Sequence, residues 1–439
     1  MAQPQDVARR WKSSPFALGV ASGSPRADGV VLWTRLIIDD PDRQAATALA
    51  HQATEPVTVR WELFADESLR QLVRQGEVIT DASRAHSVHV PLRDLPAGRD
   101  YWYRFTCGDA TSAVGHTRTA PAVDAVVQRL RLALASCQHY EQGQYVAHRD
   151  IAEQSLDFVL FVGDYIYESS NPRFLIRRHD GPEPMTLDAY RQRYAQYKRD
   201  PWLQASHAAH PWVLMWDDHE VVNDYANDRD NRYSPRDVFL ARRAAAYQAY
   251  FEHQPLWLGP DPSSPSGASM RLHDRLSWGT LADVWTLDCR QYRDYQACPD
   301  PLKGGARTVM NCAEMEAPSR SMLGQAQEAW LAEGSLGVLR FVAAMWFKAP
   351  VNTDKLWNYK RLGLLPEIPT LSEQGLKGFE GYAWQGLVVP TGTPADATAG
   401  FAKALQDALA STPVKARMQA LGGGLTVMRG EAVAENEVG

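Results

Sequence analysis

Three short segments of the sequence place acidic, phenolic, thiol and imidazole side chains directly after apolar runs. Asp164 and Tyr167 follow the run LDFVLFVG, Cys137 ends LRLALASC, and residues 217–220 (DDHE) follow PWVLMW. Because the carboxyl ends of neighbouring strands meet at one edge of an open α/β sheet, we expect these side chains to lie close together. Four consecutive acid or imidazole side chains after a buried strand are costly unless something binds them.

The donor atoms of these segments suit metal ions. Carboxylates, a phenolate, an imidazole and a thiolate fit a di- or trivalent metal such as iron, with Mg²⁺, Mn²⁺ or Ca²⁺ at an adjoining oxygen-rich position. Two metal ions that share one carboxylate would clamp a phosphoryl oxygen and generate a hydroxide for in-line attack. Asp164 is the natural bridging carboxylate, so the pattern predicts a two-metal phosphoryl-transfer site centred on it.

Each segment taken alone also has a purely structural interpretation. Asp164 could cap a turn or a helix, Tyr167 could pack in the core, and Cys137 could be an inert buried thiol. The run 217–220 could open a helix, where the helix dipole favours acidic residues. The combination of all three at successive strand ends favours the metal site.

Composition limits the classes of protein to which the chain can belong. Its 439 residues suffice for two or three domains, and 45% hydrophobic with 22% charged residues is typical of soluble globular proteins. The net charge of −6 gives no reason to expect a nucleic acid or an anionic membrane as partner. No apolar run has the roughly 18 residues of a membrane span, and the start of the chain lacks the apolar segment of a signal peptide.

Cysteine usage adds one expectation. Cys298 and Cys312 flank a polar loop that contains Gly and Pro, which makes a disulfide between them plausible if the protein is exported. The total of five cysteines leaves at least one thiol outside any disulfide.

The pattern of elements predicts how the motifs are positioned. After a disordered tail at residues 1–15, several short alternating strands over residues 16–121 predict a small β-sandwich. Over residues 122–336, alternating strands and helices predict parallel strands with right-handed crossovers, and therefore an α/β fold. Within that region the period and the cap signal of Thr186 predict one helix over residues 186–209.

Six motifs, in order, resemble those of the PhoD-type alkaline phosphatase family over about residues 16–335: FALGVASGSPRADGVVLWTRL, LASCQHYEQGQY, FVGDYIYE, WDDHEVVNDY, LDCRQYRD and MLGQAQEAWL. The resemblance implies a fibronectin- or Ig-like β-sandwich followed by a metallophosphatase-type α/β sandwich. It implies a metal-dependent phosphoric ester hydrolase, an alkaline phosphatase or phosphodiesterase that acts on a small-molecule phosphate ester. Such proteins are periplasmic or secreted.

The same resemblance implies roles for single residues. It implies that the metal ligands are Cys137, Asp164, Tyr167, Asp218 and Asn223. The first three would hold Fe³⁺, with Tyr167 as phenolate. Asp218 takes the place of the metallophosphatase asparagine and is expected on a second metal, Ca²⁺, with Asn223 as a further candidate. His219 would point at the phosphate and protonate the leaving oxygen.

The chain also departs from the family pattern. Ser24 replaces the usual Asp of the first motif, and the late TGDxH and HxxW segment, which supplies further ligands, has no counterpart after His273, the last histidine. We therefore expect a truncated metallophosphatase region with an incomplete active site.

The last quarter of the chain has a resemblance of its own. Residues 338–430 resemble the carboxyl part of Bug-type (TctC-like) periplasmic solute-binding proteins, so we expect a fused C-terminal α/β fragment over residues 337–439. Two alternatives to a phosphatase remain at this point. One is a solute-binding fragment of the tripartite tricarboxylate transporter type, and the other is a fusion without function.

Overall fold

The computed structural model describes residues 10–38, 56–172, 175–264, 269–306, 312–333 and 340–343, and four single positions, 399, 400, 403 and 407. The expected C-terminal fragment therefore lies almost wholly outside the described residues. Within the described ranges, no helix combines the length and the apolar composition that crossing a membrane requires.

Strands and helices alternate after a strand-rich amino-terminal part. The strands are β1 (Val20–Arg26), β2 (Gly29–Arg35), β3 (Val57–Phe64), β4 (Leu72–Thr80), β5 (Ser87–Leu92), β6 (Asp100–Cys107), β7 (Ala110–Thr111), β8 (Gly115–Arg118), β9 (Leu132–Ala135), β10 (Phe158–Val162), β11 (Pro211–Met215), β12 (Asp274–Trp278), β13 (Ala282–Thr286) and β14 (Arg340–Ala343). The helices are α1 (Val146–Glu153), α2 (Leu187–Lys198), α3 (Pro201–Ala209), α4 (Arg236–His253) and α5 (Gln325–Glu333).

The central sheet has the strand order β5-β2-β1-β11-β10-β9. Strands β9, β10 and β11 are parallel neighbours, and the chain passes from β9 to β10 through α1 and from β10 to β11 through α2 and α3. The two inner strands, β10 and β11, are buried along their whole length, as expected for apolar runs inside a covered parallel sheet. The prediction of a mixed α/β fold is confirmed.

The amino-terminal strands form two layers around one apolar core. One layer is the antiparallel set β5-β2-β1, and the other is the sheet β4-β3-β6-β7, with β8 also paired to β6. Val30, Leu32, Trp61 and Tyr103 are among the residues that pack between them. Because β1 also pairs in parallel with β11, the first layer is continuous with the α/β sheet.

The first described residues belong to this amino-terminal core. The indole of Trp11 donates to the Cys107 carbonyl at 2.8 Å, and the Trp11 backbone N–H donates to Asp109 at 3.0 Å. Trp11 is also packed against the core between the two layers. The part of the expected tail from residue 11 onwards is therefore anchored on β6.

Residues 186–209 form two helices, α2 and α3, and not the single helix that their period predicts. Thr186 caps α2 as predicted. The helix ends because Pro201 has no backbone N–H and disfavours helical backbone in the residue before it. Asp200 then caps α3, accepting hydrogen bonds of 3.0 and 3.2 Å from backbone N–H groups of its first turn.

A second sheet has the strand order β12-β13-β14. The segment that follows β13 reaches the turn after β11, where Arg290 contacts Asp217. Strand β14 pairs in parallel with β13, so the sheet extends beyond residue 336. The loop between β13 and α5 carries the Cys298–Cys312 disulfide. The disulfide that the sequence suggested is confirmed.

Candidate active site

The turns after β9, β10 and β11 meet at the carboxyl edge of the central sheet. Cys137 and Asp164 each lie two residues beyond their strands, and the turns are joined by backbone hydrogen bonds: Cys137 N–H donates to the Gly163 carbonyl at 3.1 Å, and Gln138 N–H to the Asp164 carbonyl at 3.2 Å. Asp217 stands at the same place after β11. The structure therefore brings all three segments together at one edge.

The tightness of this edge explains its unusual backbone. Cys137 and Asp164 both adopt the left-handed conformation, with φ of 57° and 56°. Gly163 has φ +105°, and a Cβ atom on it would lie 2.4 Å from the backbone nitrogen of Asp217. Only glycine permits the turns after β10 and β11 to approach this closely.

Tyr167 lies next to Asp164 and Cys137. Its hydroxyl donates to Asp164 Oδ2 at 2.6 Å, and its ring lies between the imidazoles of His139 and His219, with centroid distances of 4.3 and 4.2 Å. Burial, followed by the charge of Asp164, raises the pKa of the Tyr167 phenol. The same two causes raise the pKa of the Cys137 thiol, which faces the site although the residue as a whole is exposed and so is not the inert buried thiol of the structural interpretation. Both groups are therefore protonated in the protein alone, and a cation beside them would favour release of both protons.

Asp218 and His219 face Asp164 from the turn after β11. Each of these three buried residues offers a ligand atom, and the three atoms lie within 4.8 Å of one another. Asp218 Oδ2 accepts the backbone N–H of Asp224 at 2.6 Å. Burial alone would lower the pKa of His219, but Asp218, Glu168 and Asp164 outweigh it and raise that pKa to about 10.

Glu168 links His219 to the next part of the turn. Its Oε2 lies 2.5 Å from His219 Nδ1, and its Oε1 accepts the backbone N–H of Asn223 at 3.0 Å. Burial opposes ionisation of Glu168, yet the charge of His219 prevails and lowers the pKa of this carboxyl. Asn223 is thus placed beside the site through its backbone, with its side chain half-buried.

The run 217–220 divides into two structural and two site-facing residues. The guanidinium of Arg290 donates hydrogen bonds to both carboxylate oxygens of Asp217, at 2.6 and 3.1 Å. Glu220 accepts backbone N–H groups from Tyr165 and Asp217 at 2.6 and 2.9 Å. The cost of burying these two acids is therefore offset by partners inside the protein. Asp218 and His219 also have protein partners, Arg290 at 3.4 Å and Glu168 at 2.5 Å, and in addition they face Asp164.

Three residues of this site were not predicted as parts of it. Glu168 is the last residue of the quoted motif GDYIYE, Asp224 follows Asn223, and Arg290 follows β13, in another sheet. The sequence signal was similar in each case, a charged residue in the segment that follows an apolar strand. Their partners became visible only when the fold brought distant segments together.

The donor set fits a pair of metal ions. A thiol, a phenol and a carboxylate adjoin at Cys137, Tyr167 and Asp164, which suits a trivalent transition metal. The oxygen of Asp218 lies on the other side of Asp164, which suits a hard divalent cation. The second group of possible ligands among the described residues, Cys298, Cys312 and Glu314, is excluded because its cysteines form the disulfide.

Comparison with known proteins agrees with the residues at this edge. Residues 132–337 match the family of PhoD-like phosphatases, and residues 2–121 match the amino-terminal domain of PhoD-like phosphatases. The chain is 44% identical to alkaline phosphatase D of Bacillus subtilis over 331 residues, which is 74% of this chain and 54% of that protein. A solved structure of PhoD is 42% identical, with a TM-score of 0.68 over 77% of this chain and 64% of the other.

The final part of the chain matches different proteins. Residues 344–432 match the tripartite tricarboxylate transporter family receptor. A stretch of 62 residues is 42% identical to a UPF0065 protein of Agrobacterium vitis, covering 14% of this chain and 18% of that protein. The chain thus spans about half the length of the B. subtilis relative, and a segment related to other proteins follows.

Proposed function

The chain, through residues 2–121 and 132–337, belongs to the PhoD-like phosphatase family, and we propose that it is a metal-dependent phosphoric ester hydrolase of the alkaline phosphatase or phosphodiesterase type. The observation that carries this proposal is the position of Asp164. Its carboxylate accepts from Tyr167 at 2.6 Å and lies within 4.8 Å of the ligand atoms of Asp218 and His219. A small-molecule phosphate ester is the substrate class that such a site would take.

Cys137, Asp164 and Tyr167 would hold Fe³⁺, and Asp218, on the other side of Asp164, would hold Ca²⁺. Asn223 is a further candidate for the calcium side because it lies in the same turn, anchored to Glu168. When bound, the metal pair supplies a nucleophilic hydroxide and neutralises charge on the phosphoryl group.

The protein's own contribution is to hold a proton donor next to the metals. His219 is the proposed general acid for the leaving oxygen. Glu168 fixes the imidazole through Nδ1 at 2.5 Å, so the proton available to a leaving group is on Nε2. The stacked ring of Tyr167, 4.2 Å away, further limits rotation of the imidazole. Such positioned acids contribute roughly 10²- to 10⁴-fold to rate.

We further propose that the site is incomplete and its activity weak or absent. The chain contains no TGDxH or HxxW segment and no histidine after His273. Residues 344–432, which occupy the place of later ligands, match another family. A solute-binding function is not favoured, because that match covers only the last part of the chain.

The chain also has a proposed domain division and a proposed cellular compartment. We propose an Ig-like sandwich over residues 16–121, a truncated metallophosphatase domain over residues 122–336, and a fused fragment over residues 337–439. The Cys298–Cys312 disulfide favours an oxidising compartment, and therefore a periplasmic or secreted protein.

Hydrolysis of p-nitrophenyl phosphate and of its bis ester by the purified chain, supplied with Fe³⁺ and Ca²⁺, tests this proposal. We expect slow turnover that a chelator abolishes. Turnover that the chelator leaves unchanged would contradict the metal-dependent assignment, and fast turnover would contradict the incomplete site.

A further inference from the structure

Residues 299–306, the described part of the loop closed by the Cys298–Cys312 disulfide, lie next to the candidate active site. Strand β13 ends at Thr286, and the chain then passes Arg290 at the bottom of the site before it enters this loop. Within the loop, Gly305 N–H donates to the Tyr295 hydroxyl at 2.9 Å, and Gly304 N–H donates to the Asp300 carbonyl at 2.8 Å. These hydrogen bonds form a compact turn whose next residue is Ala306.

The turn contacts the site through Asp224. Ala306 N–H donates to Asp224 Oδ2 at 2.6 Å, while Oδ1 accepts from Gln296 at 2.8 Å and lies 3.3 Å from Arg290. The backbone N–H of Asp224 in turn donates to Asp218 Oδ2 at 2.6 Å. One buried residue therefore connects the disulfide loop to a candidate metal ligand.

The turn at Gly304 and Gly305 packs closely against Asp224. Gly304 and Gly305 both have left-handed backbones, with φ of 70° and 72°. A Cβ atom on Gly305 would lie 2.8 Å from Asn231 Cβ and 3.0 Å from Asp224 Oδ2. The turn thus fits against Asn231 and Asp224 without spare room, and it lies in the segment that the Cys298–Cys312 disulfide closes.

We propose that Asp224 is a positioning residue for Asp218, and that the Cys298–Cys312 disulfide keeps it in place, so that affinity for the second, divalent cation depends on oxidation of this cysteine pair. The inference rests on the proposed function, because it assumes a divalent cation at Asp218. Loss of residues that orient a metal ligand typically costs roughly 10- to 100-fold in metal affinity.

Reduction breaks one bond and needs a named reductant. A dithiol such as dithiothreitol attacks one sulfur of the pair to form a mixed disulfide, and its second thiol then displaces the protein sulfur. Two electrons and two protons pass to the protein, which gains two cysteine thiols, and the dithiol becomes a cyclic disulfide. The loop is then joined only through its backbone.

The test is calorimetric titration of Ca²⁺ into the iron-loaded full chain, in the wild type and in the double variant Cys298→Ser, Cys312→Ser, which lacks the disulfide and leaves the Cys137 thiol untreated. We expect Ca²⁺ affinity to fall roughly 10- to 100-fold on loss of the disulfide and in Asp224→Ala, with bound iron unchanged. Asp228→Asn is the matched control, because Asp228 lies in the same segment but pairs with Arg229 and Arg236 at the surface. The Ca²⁺ affinity of Asp228→Asn should equal that of the wild type.

A second variant separates positioning from general loss of structure. Gly305→Ala keeps the disulfide and disturbs the turn where it packs against Asn231 and Asp224, so it should lower Ca²⁺ affinity while cooperative thermal unfolding persists. Equal Ca²⁺ affinity in the wild type, Asp224→Ala and Gly305→Ala would overturn the inference and leave the phosphatase proposal intact. Failure of the oxidised wild type to bind Ca²⁺ would contradict the second-metal assignment itself, and the inference with it.

Discussion

Glu168 and His219 form a buried ion pair in which Oε2 and Nδ1 lie 2.5 Å apart. The pair joins the turn after β10 to the turn after β11, and the second oxygen of Glu168 anchors Asn223 at 3.0 Å. The residue proposed as general acid is therefore held by a carboxylate that belongs to the same motif as Asp164. The candidate metal ligand Asp164 and the proposed proton donor His219 are thus connected through one motif.

The first prediction concerns the strength of this pair. Glu168→Gln leaves His219 beside a neutral amide, and breaking a buried pair in this way costs about 3–5 kcal/mol of unfolding free energy. A double-mutant cycle with His219→Asn, measured by urea unfolding of metal-free protein, should give a coupling of about 1–3 kcal/mol. The exposed Glu153→Gln, which removes only a surface pair with Arg149, is the control. Additive effects of the two substitutions would contradict the pairing.

The second prediction concerns Arg290, which is completely buried and contacts Asp217, Asp218 and Asp224. Arg290→Met leaves three acidic side chains without this cation and should lower the unfolding free energy by about 3–5 kcal/mol. Arg290→Lys should recover only part of that loss, because lysine lacks the forked geometry that holds both oxygens of Asp217.

Denaturant unfolding at neutral pH measures the unfolding free energy of both Arg290 variants. Arg229→Met is the matched control, because Arg229 is exposed and pairs only weakly with Asp228, at 3.6 Å. Full stability of Arg290→Met would show that the acidic residues do not need the guanidinium.

The third prediction concerns Tyr167 as an iron ligand. Tyr167→Phe removes the phenol that donates to Asp164, so iron-loaded protein should lose the visible absorption band of a phenolate bound to Fe³⁺, and its iron affinity should fall. Absorbance and iron content of the purified protein are the measurements. The control is Tyr233→Phe, because the Tyr233 hydroxyl bonds the Asp300 carbonyl in an exposed loop. An unchanged band in Tyr167→Phe would exclude this tyrosine as ligand.

The fourth prediction concerns pH and Lys198. Its Nζ is buried, 3.4 Å from His207 Nε2 and 4.3 Å from the ring of Trp33, and burial lowers the pKa of Lys198 well below its usual value. The unfolded chain binds a proton here up to about pH 10.4, while the folded chain does not, so this residue makes stability rise with pH between the lowered pKa and about 10.4.

Lys198→Met should therefore raise the unfolding free energy at pH 7, because the folded wild type must release the proton that the unfolded chain keeps, and the gain should be smaller at pH 10. Urea unfolding at both pH values measures the difference. The exposed Lys303→Met should change neither value. A Lys198→Met variant that is less stable than the wild type at pH 7 would contradict the neutral, buried amine.

The sequence was sufficient for the local parts of this site. Apolar runs ending in Gly-Asp or Asp-Asp-His predicted the parallel strands and their shared edge, because burial and turn chemistry act over a few residues. The break at Pro201 was missed although Pro and a preceding Asp mark it, because the period of residues 186–209 continues across it.

Partners from distant segments could not be predicted in the same way. Arg290 offsets the charge of Asp217 from 73 residues away, and Ala306 reaches Asp224 from 82 residues away. Such contacts depend on the packing of β13 and its loop against the central sheet, and no local pattern encodes that packing. For the same reason the sequence could not show that Asp217 and Glu220, in the run 217–220, have their partners inside the protein.

The central claim is that Cys137, Asp164 and Tyr167 still assemble the iron side of a phosphatase site in this chain. Elemental analysis of protein purified after iron loading and removal of loosely bound metal tests it most directly. We expect about one bound iron per chain in the wild type and no bound iron in Asp164→Asn. Wild-type protein that is folded but free of iron would contradict it.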